Sequence, residues 1–232
     1  MCGNSASSMV NPVIIPPRGQ HTASLIFLHG LGDTGHGWAS VLDESRKNAD
    51  HVKIICPTAP VIPVTLNMMD MPAWFDIASL SFNENQDEAK IKESSKTLND
   101  LIDEEEKLGI PTNRIMIGGF SQGGAVALYT ALTRNRQVGG VVALSTWLPL
   151  HTSFPQAFVG PKRDYPVLQC HGDSDNMVNL QFGTMTSALI KGFCNDYRFK
   201  KYAGLGHSSS IQELNDVNEF IAKALPGISS KN

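Results

Sequence analysis

Short apolar runs that do not alternate with polar residues recur along the chain, and stretches of helical periodicity separate them. Ser24-Leu25-Ile26-Phe27-Leu28-His29-Gly30 holds four consecutive apolar residues and closes on glycine. Such a run predicts a strand buried on both faces. Similar runs lie at 52–56, 114–117, 140–144, 166–170 and 198–202, the last alternating enough to predict an edge strand. Between them, 87–108 places Ile91, Leu98, Leu101, Ile102 and Leu108 at helical spacing beside an acidic run at 103–106. Gly109 and Pro111 end that helix. Small residues at 122–132 predict a second helix. Over 179–193, Phe182, Met185, Leu189 and Phe193 fall on one side of a third. Over 211–225, Ile211, Leu214, Val217, Phe220 and Ile221 form a fourth stripe, with Ser210 and Glu213 set as a capping box.

Strands alternating with helices from 24 to 225 predict an α/β protein with one mostly parallel sheet covered on both faces. Residues 1–20 are polar and proline-bearing and read as a tail or an edge-strand arm; 21–232 read as a single domain. One segment breaks the rhythm. Residues 57–86 hold four prolines, several methionines and Trp74-Phe75 without clear periodicity. A structureless stretch of that length in a compact domain is usually functional.

Composition narrows the class. With 232 residues, 41% hydrophobic and 18% charged, the chain buries a full core and is not a disordered polymer. A net charge of −3 argues against a nucleic-acid partner. No apolar run reaches the length of a bilayer span. The start, Met1-Cys2-Gly3-Asn4-Ser5, lacks the basic-then-apolar pattern of a secretory signal, so the expectation is a soluble cytoplasmic protein. Cys2, Cys56, Cys170 and Cys194 are scattered, with no Cys-x-x-Cys pair, which predicts free thiols rather than zinc ligands or disulfides. Cys2, beside the terminus, is either an inert exposed thiol or a lipid acceptor. His29 and His36 lack a carboxylate cluster and no G-x-G-x-x-G follows the first strand, so neither metal nor nucleotide cofactor is expected.

The chemistry concentrates in Gly119-Phe120-Ser121-Gln122-Gly123, a G-x-S-x-G between an apolar strand and a small-residue helix. That context suits a nucleophile elbow, in which glycines allow a tight strand-to-helix turn that exposes the serine. The competing reading is a glycine-rich turn that merely packs closely. A serine hydroxyl needs a base oriented by an acid, and in this architecture the chain order is Ser, acid, His. His207, in a glycine-flanked loop before the last helix, is preferred as base over His151 and His171, since His171 precedes the candidate acids. Asp175 is preferred as acid over Asp173, which follows its strand so closely that it should bind loop N–H groups. The loop after the first strand would supply one oxyanion donor, Leu31 N–H, and the residue after the serine the other, Gln122 N–H. His29 reads as a structural residue bonding loop backbone. Leu66, Met68, Met71, Trp74 and Trp147 are candidates for an acyl channel; core packing is the competing reading, equally weighted for Trp74.

Together the strings Phe27-Leu28-His29-Gly30-Leu31-Gly32-Asp33, Pro63-Val64-Thr65-Leu66-Asn67-Met68, Trp74-Phe75-Asp76, the glycine elbow, Trp147-Leu148-Pro149-Leu150, Gln169-Cys170-His171-Gly172-Asp173 and Gly206-His207-Ser208-Ser209 resemble the acyl-protein thioesterases of the phospholipase/carboxylesterase family. The resemblance spans 23 to 225. It implies an α/β-hydrolase fold without a large cap domain, and Ser121, Asp175 and His207 as triad with Leu31 and Gln122 as oxyanion donors. It further implies release of thioester-linked palmitate from S-acylated proteins, with lysophospholipids or small esters as side substrates. Cys2 would be a palmitoylation site for transient membrane association. Oligomeric state stays open. Two departures stand out. Asn176-Met177-Val178-Asn179 occupies the place of a Pro-x-Val-Pro run, which would loosen the acid loop. Ser145-Thr146-Trp147 replaces Ser-Cys-Trp.

Overall fold

The computed structural model describes residues 11–79, 81 and 86–228. Seven strands form one sheet in the order β1-β3-β2-β6-β7-β8-β9. They are β1 (Val13–Ile15), β2 (Ala23–Leu28), β3 (Val52–Cys56), β6 (Ile115–Phe120), β7 (Gly140–Leu144), β8 (Val167–Gly172) and β9 (Tyr197–Tyr202). All neighbours are parallel except β1, which adds antiparallel to β3 at the edge. β2, β7 and β8 are buried along their whole length, as unbroken apolar runs require when helices cover both faces. β9 alternates between exposed and partly buried residues and lies at the far edge.

The helices divide between the faces. α2 (Glu88–Lys107), α3 (Gln122–Thr133) and α4 (Leu180–Ile190) contribute to one core layer, which holds Ile91, Leu98, Leu128 and Ile190. α1 (Gly35–Ser45) and α5 (Ile211–Ala224) contribute to the other, with Trp38, Leu42, Val217 and Phe220. α2 starts on an Asp87 cap that accepts the Lys90 N–H.

Three sequence expectations change. The described part of 57–86 is not structureless: β4 (Val61–Val64) and β5 (Met69–Pro72) pair as an antiparallel ribbon outside the main sheet. A short 3₁₀ turn and Met68, at φ +51°, join them. Prolines are tolerated in such a two-stranded edge, which hides the pattern from periodicity. The buried residues of α4 are Gly183, Thr186, Ser187 and Ile190, while Met185 faces outward. Small residues let that helix close onto β8. The capping box of α5 is half made. Ser210 Oγ accepts the Glu213 N–H at 3.2 Å, but the Glu213 carboxyl makes no well-formed hydrogen bond in return.

Candidate active site

Ser121 sits between β6 and α3 at φ +52°, ψ −120°, a backbone region that a side chain adopts only when its surroundings impose it. The surroundings are visible. A Cβ on Gly123 would overlap the Leu28 carbonyl, and one on Gly119 would overlap the Gly123 backbone. The turn therefore closes only with glycine on both sides of the serine. Ser121 N–H donates to Leu144 O at 2.8 Å, and Thr146 Oγ1 donates to Ser121 O at 2.6 Å. Thr146, a departure in the sequence pattern, thus ties the elbow to the end of β7.

The loop after β2 crosses directly over the elbow. A Cβ on Gly30 would stand 3.1 Å from the Phe120 ring and 3.4 Å from Ser121 Cβ. Gly32 N–H donates to Pro72 O at 2.8 Å and Asp33 N–H to Gly30 O at 3.2 Å, which fixes the backbone around Leu31. Gln122 opens α3, where helix geometry leaves the first N–H groups without an intrahelical carbonyl. Its side chain is a clamp: Oε1 accepts the Trp74 N–H at 2.8 Å and Nε2 donates to Phe75 O at 2.6 Å. His29 adds another tie. Its Nδ1 lies 2.7 Å from Gly30 O, and its Nε2 accepts the Ala59 N–H at 2.9 Å. Burial holds its pKa down, against the Gly30 carbonyl and the Asp33 charge, so the ring is a neutral strut.

Asp175 and His207 meet beside the elbow. Asp175 Oδ2 lies 2.8 Å from His207 Nδ1, and its Oδ1 accepts the Met177 and Val178 N–H groups at 2.9 Å each. Burial pushes the Asp175 carboxyl upward, but the hydrogen bond and charge of His207, with the two loop N–H groups, outweigh it and hold the carboxyl below its ordinary value. The Asn176-Met177-Val178-Asn179 segment is therefore not loose. Its own amides ligate the acid, and Asn179 caps α4 by accepting the Gln181 N–H. His207 packs its ring 4.7 Å from that of Phe120, the residue before Ser121, which brings the imidazole to the elbow. Asp173 faces elsewhere. Its Oδ1 accepts the Gly204 N–H at 2.7 Å and the Ser174 hydroxyl at 3.0 Å, tying down the loop that carries His207.

The channel candidates separate. Trp74 is 1% exposed; its indole N–H donates to His29 O at 2.9 Å, and its carbonyl accepts Ser94 Oγ. It is a buried strut beneath the loop after β2 rather than a wall open to ligand. Met71 faces that loop, its Sδ 3.5 Å from where a Gly32 Cβ would stand. Trp147 is partly buried, edge-on to Phe75. Leu66 is at the margin of exposure, and Met68, at 92% exposed, projects from the ribbon tip. Cys2 lies outside the described residues. Among those residues no three His, Cys, Asp or Glu side chains could hold a metal ion, and no helix is long and apolar enough to cross a membrane.

Residues 9–225 match the phospholipase/carboxylesterase family. The chain belongs to that family. Among curated relatives of this family member, acyl-protein thioesterase 1 of Neurospora crassa is 42% identical, covering 95% of this chain and 94% of its own. Acyl-protein thioesterase 1 of Gibberella zeae is 44% identical, covering 95% and 98%. The solved structure of Arabidopsis thaliana SOBER1 superposes with a TM-score of 0.82 at 31% identity, over 88% of this chain and 99% of that one. The family match accords with the α/β-hydrolase architecture described above, without a large cap domain. Thr146 and the Gln122 clamp went unread in the sequence. A hydroxyl in place of a thiol, and an amide beside a candidate oxyanion donor, were the available signals.

Proposed function

We propose that this protein is a serine hydrolase that cleaves the thioester joining long-chain acyl groups, such as palmitate, to protein cysteines. The observation that carries the mechanism is the 2.8 Å bond between Asp175 and His207, set beside a serine held on a strained elbow. The acyl-protein thioesterase names of two relatives that match nearly the whole chain support the substrate class.

His207 takes the Ser121 proton at Nε2 while Asp175 keeps Nδ1 protonated and stabilises the imidazolium that forms. Ser121 Oγ attacks the acyl carbonyl. The oxyanion is received by the N–H groups of Leu31 and Gln122, each worth about 10²–10³ in turnover at comparable sites. Collapse expels the cysteine thiolate, which His207 protonates. Water, activated by the same imidazole, then releases the fatty acid. The oxyanion donors need no metal because two fixed N–H dipoles meet the developing charge.

Lysophospholipids and small esters present the same carbonyl, and the family's phospholipase/carboxylesterase description favours them as side substrates. Cys2 is proposed as a lipid acceptor; one acyl chain binds membranes only marginally and reversibly. In cells, Cys2→Ser should then reduce membrane partitioning. Ser121→Ala tests the main reading. It should abolish thioester turnover and fluorophosphonate labelling while leaving the melting profile nearly unchanged. Retained turnover overturns the assignment.

A further inference from the structure

We propose that His171 is a positioning residue of this site, holding the 175–178 loop so that Asp175 presents Oδ2 to His207. The inference rests on the proposed Ser121–His207–Asp175 reading and adds a fourth side chain to it. His171 lies in β8 with its side chain fully buried. Its Nε2 is 2.8 Å from Val178 O and 3.6 Å from Asp175 Oδ2. A carbonyl only accepts, so Nε2 carries the proton and donates it to Val178. The ring thereby grips the residue whose own N–H donates to Asp175 Oδ1 at 2.9 Å. The acid loop is closed on both sides, by its amides onto the carboxylate and by its carbonyl onto the imidazole.

The other ring nitrogen is sealed. Nδ1 is buried without a hydrogen-bond partner. It faces the backbone of Gly183, where an added Cβ would come 2.5 Å from it. Gly183 is itself held, because Gln169 Nε2 donates to its carbonyl at 2.9 Å, and Tyr197 OH donates to Gln169 Oε1 at 2.6 Å. The ring thus has one tautomer and one orientation. A residue needed only for packing here would be apolar, since a buried unpaired nitrogen costs free energy. The group that offsets that cost is the Nε2–H donor.

Charge points the same way. Burial disfavours the imidazolium, and the nearby His207 adds to that; the Val178 carbonyl and the Asp175 charge oppose it, and burial prevails. A neutral His171 leaves the Asp175 charge to His207 instead of dividing it between two imidazoles.

The test combines two substitutions with a measurement on the unaltered protein. His171→Phe keeps a planar aromatic ring, somewhat larger than the imidazole, and removes the donor; His171→Gln keeps an N–H in reach of Val178 O. We expect His171→Phe to lower kcat on an acyl thioester by about 10–100-fold with KM changed less than about twofold. The downfield proton resonance of the His207–Asp175 hydrogen bond should move upfield or vanish, with circular dichroism unchanged. His171→Gln should recover both readouts. Wild-type kcat with an unmoved resonance in His171→Phe overturns the proposal, as does equal impairment in both variants, which would mark a packing role. If His171→Phe does not fold, ¹⁵N spectra of the wild type decide: His171 must remain the Nε2–H tautomer between about pH 5 and pH 9. A protonated Nδ1 in that range overturns the proposal. Failure of the underlying triad is distinguishable, since Asp175→Asn would then retain turnover although it removes the downfield resonance.

Discussion

The Leu205 carbonyl occupies the space where Gly172 would carry a side chain, so that any Cβ at that position would overlap the oxygen. Ser174 N–H donates to the same carbonyl at 3.0 Å. The end of β8 and the loop carrying His207 are thus in backbone contact, and the acid and the imidazole inherit their separation from it. Gly172→Ala must push the 204–207 loop away. We expect kcat/KM to fall by at least about 10²-fold, because sub-ångström placement is lost. A loss of about 2–4 kcal/mol in urea unfolding should accompany it, as overpacking of a closed contact does.

Asp173 and Asp175 stand two residues apart and bind different partners. Asp175→Asn should lower kcat by roughly 10³–10⁴, because the amide favours the wrong imidazole tautomer. Asp173→Asn removes a charge-assisted bond to the Gly204 N–H. It should cost about 1–2 kcal/mol of stability and less than about tenfold in kcat. Steady-state kinetics on one thioester substrate, with denaturant curves for both variants, would separate the roles.

The methionines of the ribbon differ in position. Met71 neighbours Gly32 of the loop after β2, whereas Met68 projects into solvent. Met71→Ala should raise KM for a long-chain acyl thioester by about 10-fold, from loss of apolar contact, and leave an acetyl ester nearly unaffected. Met68→Ser should change neither constant for soluble substrates. Equal effects of both variants on both substrates would remove Met71 from the proposed channel.

Glu213 sets a pH dependence of stability. Burial first, then the Asp216 charge, push its carboxyl up from 4.5 to about 7, against the pull of the Ser210 N–H. The folded protein holds this proton more tightly than the unfolded chain. Its contribution to stability is therefore full below about pH 4.5 and is lost as pH rises through about 7. Glu213→Gln removes the penalty of burying a charge. It should be more stable than the wild type by about 2 kcal/mol near pH 8 and nearly equal near pH 5. Urea unfolding at both pH values checks the sign; equal destabilisation at both would contradict it.

Much of this layout was legible along the chain. Five of the six predicted strand runs mark the buried parallel strands and one the half-exposed edge β9. They are legible because double burial demands continuous apolar residues and edge placement does not. The elbow was legible because Gly119, Ser121 and Gly123 fall within five residues, although the overlap that demands glycine at 123 comes from the Leu28 carbonyl of β2. The ribbon at 61–72 was not, since Pro63 and Pro72 break its alternation and its order comes from pairing between β4 and β5. The Met185 side of α4 misled for a related reason. Apolar spacing marked a stripe, but Gly183, Thr186 and Ser187 face β8 because only small side chains fit there.

By itself the sequence determined the residue types available for chemistry, their order along the chain, and a sheet that carries them at strand ends. These follow from covalent spacing and hydrophobic period. Only the tertiary structure decided which partner each polar side chain meets. It turned Asp173 toward Gly204 and Asp175 toward His207, locked Trp74 under His29, and left Glu213 buried without a full set of hydrogen bonds. Those outcomes depend on contacts between segments tens of residues apart, where hydrogen-bond direction and burial act over distances of a few ångströms that no local pattern encodes.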